Sequence, residues 1–277
     1  MQLDLVDVFG ARAMAGNPLG VVHAADGMSA EAMLRLTRWI GFSECTFLLP
    51  PTHPDADYRV RIFYPAGELP FAGHPTLGTA HAWLRAGGQP KRAGVVVQEC
   101  GVGLVEVRIE GELLAFKAPP LVKGGPLSAE ERAEVARLTG VDEAGIVDAV
   151  HANNGPGWKL LRLRSAAAVL AAQPVARAPL GTDVGLVGPH DDSDPAWEVR
   201  AFFANANGEL KEDPVTGSLN AATAQYLFAS GLAQDRYIAR QGQQIGADGR
   251  VHCRIEPDGA VWIGGRVDTI AAGAALR

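Results

Sequence analysis

Cysteine is scarce in this 277-residue chain: Cys45, Cys100 and Cys253 are the three, and none sits in a CxxC spacing. An odd, scattered set excludes a disulfide framework and a thiol-rich zinc site, and it fits a reducing compartment. Runs of Lys or Arg are also missing. With a formal net charge of -6 and a pI near 5.7, neither a nucleic-acid groove nor an anionic membrane surface is the expected partner. No stretch reaches the roughly 18 apolar residues of a membrane span. The opening MQLDLVDVFG lacks the basic start and long apolar core of a secretion signal, so the expectation is a cytoplasmic protein. Nucleotide binding has no support, because neither GxGxxG nor a GxxxxGK run followed by Ser or Thr occurs, and no serine sits in GxSxG. His74 and His81 are seven apart, but no carboxylate falls at a matching position, so no metal is expected.

What is present is a globular composition, 47% hydrophobic and 20% charged, and a stretch that occurs twice. Residues 60–78 read VRIFYPAGELPFAGHPTLG and residues 199–217 read VRAFFANANGELKEDPVTG. Val60, Arg61, Phe63, Pro75 and Gly78 match Val199, Arg200, Phe202, Pro214 and Gly217, each pair 139 apart. The Gly-Glu-Leu runs at 67–69 and 208–210 are 141 apart, a slip that a loop absorbs. Two copies of one structural unit are expected, joined near the Pro- and Gly-rich KAPPLVKGGP at 117–126, which sets the halves at 1–118 and 119–265.

Local signals support that division. Residues 2–9 alternate as a half-buried strand does. Ser29 is an N-cap and Gly41 a C-terminal stop for one helix; Ser128 with Glu131 forms a capping box closed by Gly140, and this second helix reads as the first one's counterpart. Hairpins are expected over 95–117 and 251–263, with turns at Gly111 and at Pro257-Asp258-Gly259. A helix should begin near Pro75, where a missing N–H is harmless. Neither 71–84 nor 214–230 contains Lys, Arg, Asp or Glu. A helix with no charged face is buried all round, so each sheet is expected to wrap its own helix.

If the starts of those two helices face one another, their unpaired N–H groups and positive dipole ends form an anion site suited to a substrate carboxylate. Gly73 and Gly217 permit close backbone approach there. His74 and Asp213 occupy the matched positions, and two readings stay open for them. They hold a proton or orient a ligand, or Asp213 is a cap and His74 a satisfied buried histidine. A strand is expected over FSECTFLLP (42–50), with Phe42, Glu44, Thr46 and Leu48 on one face and Ser43 and Cys45 on the other. Glu44 among apolar neighbours would have a raised pKa; on an edge strand it would instead lie in water.

PFAGHPTLG (70–78), EDPVTGS (212–218), FSECTF (42–47), GNP (16–18) and NNGPGW (153–158) together resemble the PhzF-like proteins, named for a phenazine-biosynthesis isomerase. The resemblance spans most of the chain. It implies an α+β fold of the diaminopimelate epimerase-like kind: two pseudo-symmetric halves, each a curled, barrel-like, mainly antiparallel sheet around a central helix, with the active site in the cleft between them. It implies that residues 266–277 return to the first half. It further implies a cofactor-independent isomerase, often a homodimer, acting on a small carboxylate-bearing metabolite. Glu44 would be the proton carrier, with His74 and Asp213 relaying protons or holding substrate and Ser43, Gly73, Gly217 and Ser218 lining the site. Related epimerases use two cysteines at the helix starts, which fall here near Ala72 and Asp213, so a two-thiol mechanism is not expected. An epimerase of the same fold, or a binding module without turnover, are the competing functions. The Ala11–Met14 segment before GNP and the Ala-Asn-Ala-Asn after Phe203 depart from the family's pattern at positions that shape a pocket.

Overall fold

The structure, a computed structural model, describes residues 1–191 and 194–276; positions 192, 193 and 277 of the expected halves lie outside the described residues. The chain divides into two compact units. Unit 1 is Met1–Lys117 with Gly264–Arg277, and unit 2 is Ala118–Ile263.

Unit 1 contains β1 (Gln2–Val8), β2 (Asn17–His23), α1 (Ala30–Ile40), β3 (Cys45–Leu49), β4 (Tyr58–Tyr64), β5 (Gly67–Leu69), α2 (Gly73–Arg85), β6 (Val95–Cys100), β7 (Gly103–Glu110) and β8 (Leu113–Lys117). Residues 95–117 are thus three strands rather than a single hairpin, because the chain turns at Gly101-Val102 as well as at Gly111. Eight strands close on themselves in the order β1-β2-β3-β4-β6-β7-β8-β16-β1, the last being the C-terminal part of β16 (Val261–Ala275). Inside lies α2, packed on β1, β2, β3, β6, β7 and β8, and buried from Gly73 to Ala80. The alternation of β1 sends Val6 and Val8 toward it. Gly78 is the contact point: a Cβ there would meet Leu19 Cδ2 at 2.6 Å and Val6 Cγ2 at 3.0 Å. At the far end of α2, Arg85 donates to the buried Asp4 Oδ2 at 2.5 Å, His23 Nε2 lies 2.8 Å from the same oxygen, and the Gly273 N–H donates to Oδ1 at 2.8 Å. That carboxylate ties β1, β2, α2 and β16 together. On the outside, α1 begins at its Ser29 cap, ends at Gly41 with φ 79°, and packs Met33 with Cys45, Phe47 and Phe63.

Unit 2 contains α3 (Ala129–Thr139), β9 (Ile146–His151), β10 (Lys159–Leu163), α4 (Ala166–Ala171), β11 (Asp183–Pro189), β12 (Trp197–Ala204), β13 (Leu210–Asp213), α5 (Gly217–Ala229), β14 (Arg236–Gln241), β15 (Gly249–Ile255) and the start of β16. The sheet order is β16-β15-β14-β12-β11-β10-β9, with β13 beside β12. One face covers the buried helix α5, whose Leu219, Ala221, Ala222 and Ala224 have no exposed surface. The other carries a separate core in which α3 and α4 contribute Val135, Leu138 and Val169 against Leu161, Leu186 and Phe202. Beneath α4 the buried pair Arg200–Glu212 is bidentate at 2.9 and 2.8 Å, and Arg200 also donates to the Ala172 carbonyl at 2.8 Å.

The same pairing scheme runs through both units. β1·β2 and β9·β10 are antiparallel, β2·β3 and β10·β11 parallel, β3·β4 and β11·β12 antiparallel, β4·β6 and β12·β14 parallel. The architecture is therefore α+β, two pseudo-symmetric halves each built on a curled, mainly antiparallel sheet with its own central helix. Two details of the expected correspondence change. The counterpart of α1 is α4, which lies between β10 and β11 as α1 lies between β2 and β3; α3 precedes β9 and has no partner. The central helices, both 13 residues long, start at Gly73 and Gly217, so they match at a spacing of 144 rather than 139. The longer turn between β12 and β13 absorbs the difference, and the helix counterpart of His74 is Ser218, not Asp213.

Candidate active site

Glu44 does not lie within a strand. After the left-handed Gly41, residues 42–44 turn the chain out of α1, and β3 begins at Cys45. The alternation nevertheless holds through the turn. Thr46 faces α2, where Thr79 Oγ1 lies 2.8 Å from Thr46 Oγ1 and donates to the Pro75 carbonyl at 2.6 Å. Glu44, two residues earlier, points the same way: its Oε2 is 3.6 Å from His74 Nε2. Cys45 points oppositely into the α1 core, where burial pushes its thiol up to about 12. Ser43 stands in the turn, partly exposed. The polar bridge from Thr46 through Thr79 to Pro75 links the strand that follows Glu44 to the helical turn that carries His74.

His74 is 5% exposed, and burial pushes its pKa down to about 3, although a hydrogen bond to Pro18 opposes the shift. Proline has only a carbonyl to offer, so His74 is the donor. Nε2 has no hydrogen-bond partner, which leaves Nδ1–H as the group on Pro18. The imidazole is neutral, and its Nε2 lone pair looks toward the Glu44 carboxyl across a gap too long for a direct hydrogen bond. This is not an ion pair; the closeness of the two groups places two acceptors around one space. Pro18 is held by the turn before it. Asp7 accepts from the Ala15 and Gly16 N–H groups at 3.0 Å, and a Cβ on Gly16 would lie 2.2 Å from the Val8 carbonyl. The GNP motif therefore sets the tautomer of His74.

In unit 2, Asp213 ends β13 and accepts from Thr216 Oγ1 at 2.5 Å. It does not cap α5; Thr216 occupies the N-cap, and neither α5 nor α2, whose N-cap is Ala72, has a side-chain cap. No thiol stands at either helix start. Gln241 binds this corner: its Oε1 accepts from the Thr216 N–H at 3.0 Å and from Asn220 at 2.8 Å, while its Nε2 donates to the Asp213 carbonyl at 3.0 Å. In unit 1, Gln98 donates to Thr76 Oγ1 at 3.0 Å and accepts from the Tyr58 hydroxyl at 3.1 Å. Gly217 and Ser218 open α5. Asn154 donates to the Ser218 carbonyl at 2.8 Å and Trp158 Nε1 to Ser218 Oγ at 3.0 Å, which gives the NNGPGW motif its place as a brace on that helix start.

Within unit 1 the structure thus brings Glu44, His74 and Gly73 together, and within unit 2 Asp213, Gly217 and Ser218. Sequence reasoning missed the Pro18 carbonyl, the Thr46–Thr79 bridge and Gln241. A sequence signal existed for the second, because Thr79 and Thr223 lie at the 144 spacing of the helices. Among the described residues no group of three or more His, Cys, Asp or Glu side chains is arranged to hold a metal ion, and no helix is long and apolar enough to cross a membrane.

A sequence profile of the phenazine biosynthesis-like proteins matches residues 6–273. The chain is 32% identical over 286 residues to trans-2,3-dihydro-3-hydroxyanthranilate isomerase of Pseudomonas aeruginosa, covering 98% of each. It is 30% identical to antisense-enhancing sequence 1 of Schizosaccharomyces pombe, covering 97% of this chain and 96% of that one. Among solved structures it matches a predicted epimerase from Pseudomonas aeruginosa with a TM-score of 0.80 and 27% identity, over 100% of this chain and 99% of that one.

Proposed function

The chain belongs to the phenazine biosynthesis-like (PhzC-PhzF) family, and on that premise we propose that it is an isomerase that moves a proton on a small carboxylate-bearing metabolite, with Glu44 as the acid–base group. The observation that carries this reading is the neutral, partnerless Nε2 of His74 held 3.6 Å from the Glu44 carboxyl. Glu44 takes a proton from a carbon next to an unsaturated or carbonyl-bearing group, the electron pair moves into that conjugated system, and the Glu44 carboxylic acid returns the proton at a second carbon. The electrons never leave the substrate, so the reaction calls for no redox partner or cofactor. His74, its Nδ1–H committed to Pro18, offers Nε2 as an acceptor for a donor on the substrate. The uncapped starts at Gly73, and at Gly217 and Ser218, are assigned to the substrate carboxylate; Asp213 is assigned to hold substrate or relay a proton, and Ser43 to support Glu44. Acid–base catalysis of this kind supplies roughly 10² to 10⁴-fold, the rest coming from positioning. The homodimer implied by the resemblance belongs to the same proposal and is read by sedimentation.

The test uses the compound in the name of the Pseudomonas relative, trans-2,3-dihydro-3-hydroxyanthranilate, in heavy water. Glu44→Gln should lose at least about 100-fold in isomerisation while ligand binding persists. Turnover at the wild-type rate in that variant removes Glu44 from the mechanism. A second reading, inversion of one stereocentre, is favoured by the likeness to the predicted epimerase; chiral chromatography of the product separates the two.

A further inference from the structure

We propose that Trp158 is a positioning residue of the substrate site, its indole N–H fixing the Ser218 hydroxyl as a hydrogen-bond donor to the substrate carboxylate. The inference rests on the function proposed above and concerns unit 2 alone. Trp158 is 4% exposed and donates from Nε1 to Ser218 Oγ at 3.0 Å. A serine hydroxyl has one proton to give and two lone pairs, and an indole N–H can only donate. The contact therefore fills a lone pair of Oγ and leaves the proton for another partner. Elsewhere in this chain Thr37, Thr79 and Thr139 give that proton to the carbonyl four residues back, at 2.9, 2.6 and 2.8 Å. Among the described residues Trp158 is the one hydrogen-bond partner of Ser218 Oγ. Its proton stays available at the partly exposed second position of α5.

The surrounding groups have the same polarity. As at any helix start, the N–H groups of Gly217, Ser218 and Leu219 lie outside the intrahelical ladder, which opens with the Asn220 N–H donating to the Thr216 carbonyl at 3.1 Å. The Thr216 side chain does not cap them. Its hydroxyl donates to Asp213 Oδ2 at 2.5 Å and accepts from Gln241 Nε2 at 3.0 Å. A Ser218 hydroxyl free to rotate can turn a lone pair toward an incoming carboxylate and repel it. With the indole on Oγ, side chain and backbone both offer hydrogen.

A plainer role for Trp158 is bracing alone. Main-chain contacts already meet that need: Asn154 donates to the Ser218 carbonyl at 2.8 Å, and the Ala152 N–H closes the loop on the Trp158 carbonyl at 2.8 Å. The indole addresses the side chain instead. Unit 1 contains the same device with the opposite sign. His74 is the second residue of α2 as Ser218 is of α5. Their partners stand where the chain enters the second strand of the corresponding pairs, Pro18 at the start of β2 and Trp158 directly before β10. At His74 a carbonyl takes the proton and leaves an acceptor; at Ser218 an N–H fills a lone pair and leaves a donor.

The experiment measures kcat and KM of wild type, Trp158→Phe, Ser218→Ala and the double variant on trans-2,3-dihydro-3-hydroxyanthranilate. Phenylalanine keeps an aromatic ring and removes the N–H. A carboxylate is charged in the bound substrate and in the transition state alike, so the loss falls on KM rather than kcat, by about two- to tenfold for Trp158→Phe. Where Ser218 is already alanine, Trp158→Phe should add about twofold at most, because the indole has no hydroxyl left to orient. Equal rises in both backgrounds mean bracing and overturn the inference, as does a wild-type KM in either single variant. Glu44→Gln, run alongside, tests the proposed function separately. Should wild type not act on this compound, or Trp158→Phe not fold, nitrogen-15 NMR of the tryptophan indoles decides, with benzoate as the probe. Ser218→Ala must move one indole resonance, benzoate must shift that same resonance in wild type, and Ser218→Ala must bind benzoate at least about threefold more weakly. Failure of any of the three overturns the assignment.

Discussion

Replacing His74 with glutamine should make the protein less sensitive to mild acid. In the folded state the imidazole has a pKa of about 3, pushed down by burial from an ordinary 6.5; in the unfolded chain it titrates normally. A base with a depressed folded pKa contributes stability that is whole above pH 6.5. Below that the unfolded state takes up the proton, the folded state does not, and stability falls until the folded pKa is reached. Each unit of difference amounts to about 1.4 kcal/mol, so at pH 5 the wild type has lost about 2 kcal/mol through this group, and at pH 7.5 almost none. Urea unfolding of both proteins at pH 7.5, 6 and 5 isolates the effect, because the other titrating groups cancel in the difference. The wild type should fall toward the variant by about 2 kcal/mol over that range. A flat difference would mean that His74 titrates freely. The opposite slope, with the wild type gaining on the variant as pH falls, would mean that His74 is a cation paired with Glu44, and the neutral-acceptor role assigned to it would be refuted.

Three further substitutions test the surroundings. Arg200→Met should destabilise by about 3–5 kcal/mol, because it strands the buried Glu212, whereas Arg61→Met, which breaks the matching but partly exposed pair with Glu68, should cost no more than about 1 kcal/mol; equal losses in urea unfolding contradict the assigned burial. Gly78→Ala drives a methyl against Leu19 and Val6 and should destabilise by about 1–3 kcal/mol, visible as a lower urea midpoint with an unchanged slope. Thr79→Val leaves the buried Thr46 hydroxyl without its partner, costing about 1–3 kcal/mol; because the bridge positions Glu44 against His74, kcat should also fall with KM little changed, and an unaltered kcat would confine Thr79 to stability.

Much of this was legible because local chemistry and tertiary placement agree. Ser29 and Gly41 bound α1 through their own caps, and the charge-free runs at 71–84 and 214–230 are the buried helices. Correspondence between the halves was harder to read. Identical residues at a spacing of 139 lie in β4 and β12, and carrying that spacing past the β12–β13 turn paired His74 with Asp213, when the helices are 144 apart. The tautomer of His74 depends on a backbone carbonyl at Pro18, and a carbonyl has no signature in a sequence. Glu44 was placed on the correct side of β3 although it lies just outside that strand, because the extended turn preserves the alternation.

The fifteen residues of β16 begin in unit 2 and finish as the last stave of the unit 1 barrel. Unit 2 is thus an insertion between the seventh and eighth staves, and the order of synthesis runs against the order of assembly. When residues 1–117 have left the ribosome, β1 and β8 still present open edges, and they stay open until everything through residue 263 has been made. The barrel translated first closes only when the last strand has been made. A nascent unit 1 must therefore wait with an unsealed wall and a buried-type helix in need of cover, a state in which unpaired strand edges invite the wrong partner. Shortening the chain from its C-terminal side should consequently unseat the N-terminal barrel first, while the inserted unit, whose strands are contiguous, keeps its own fold.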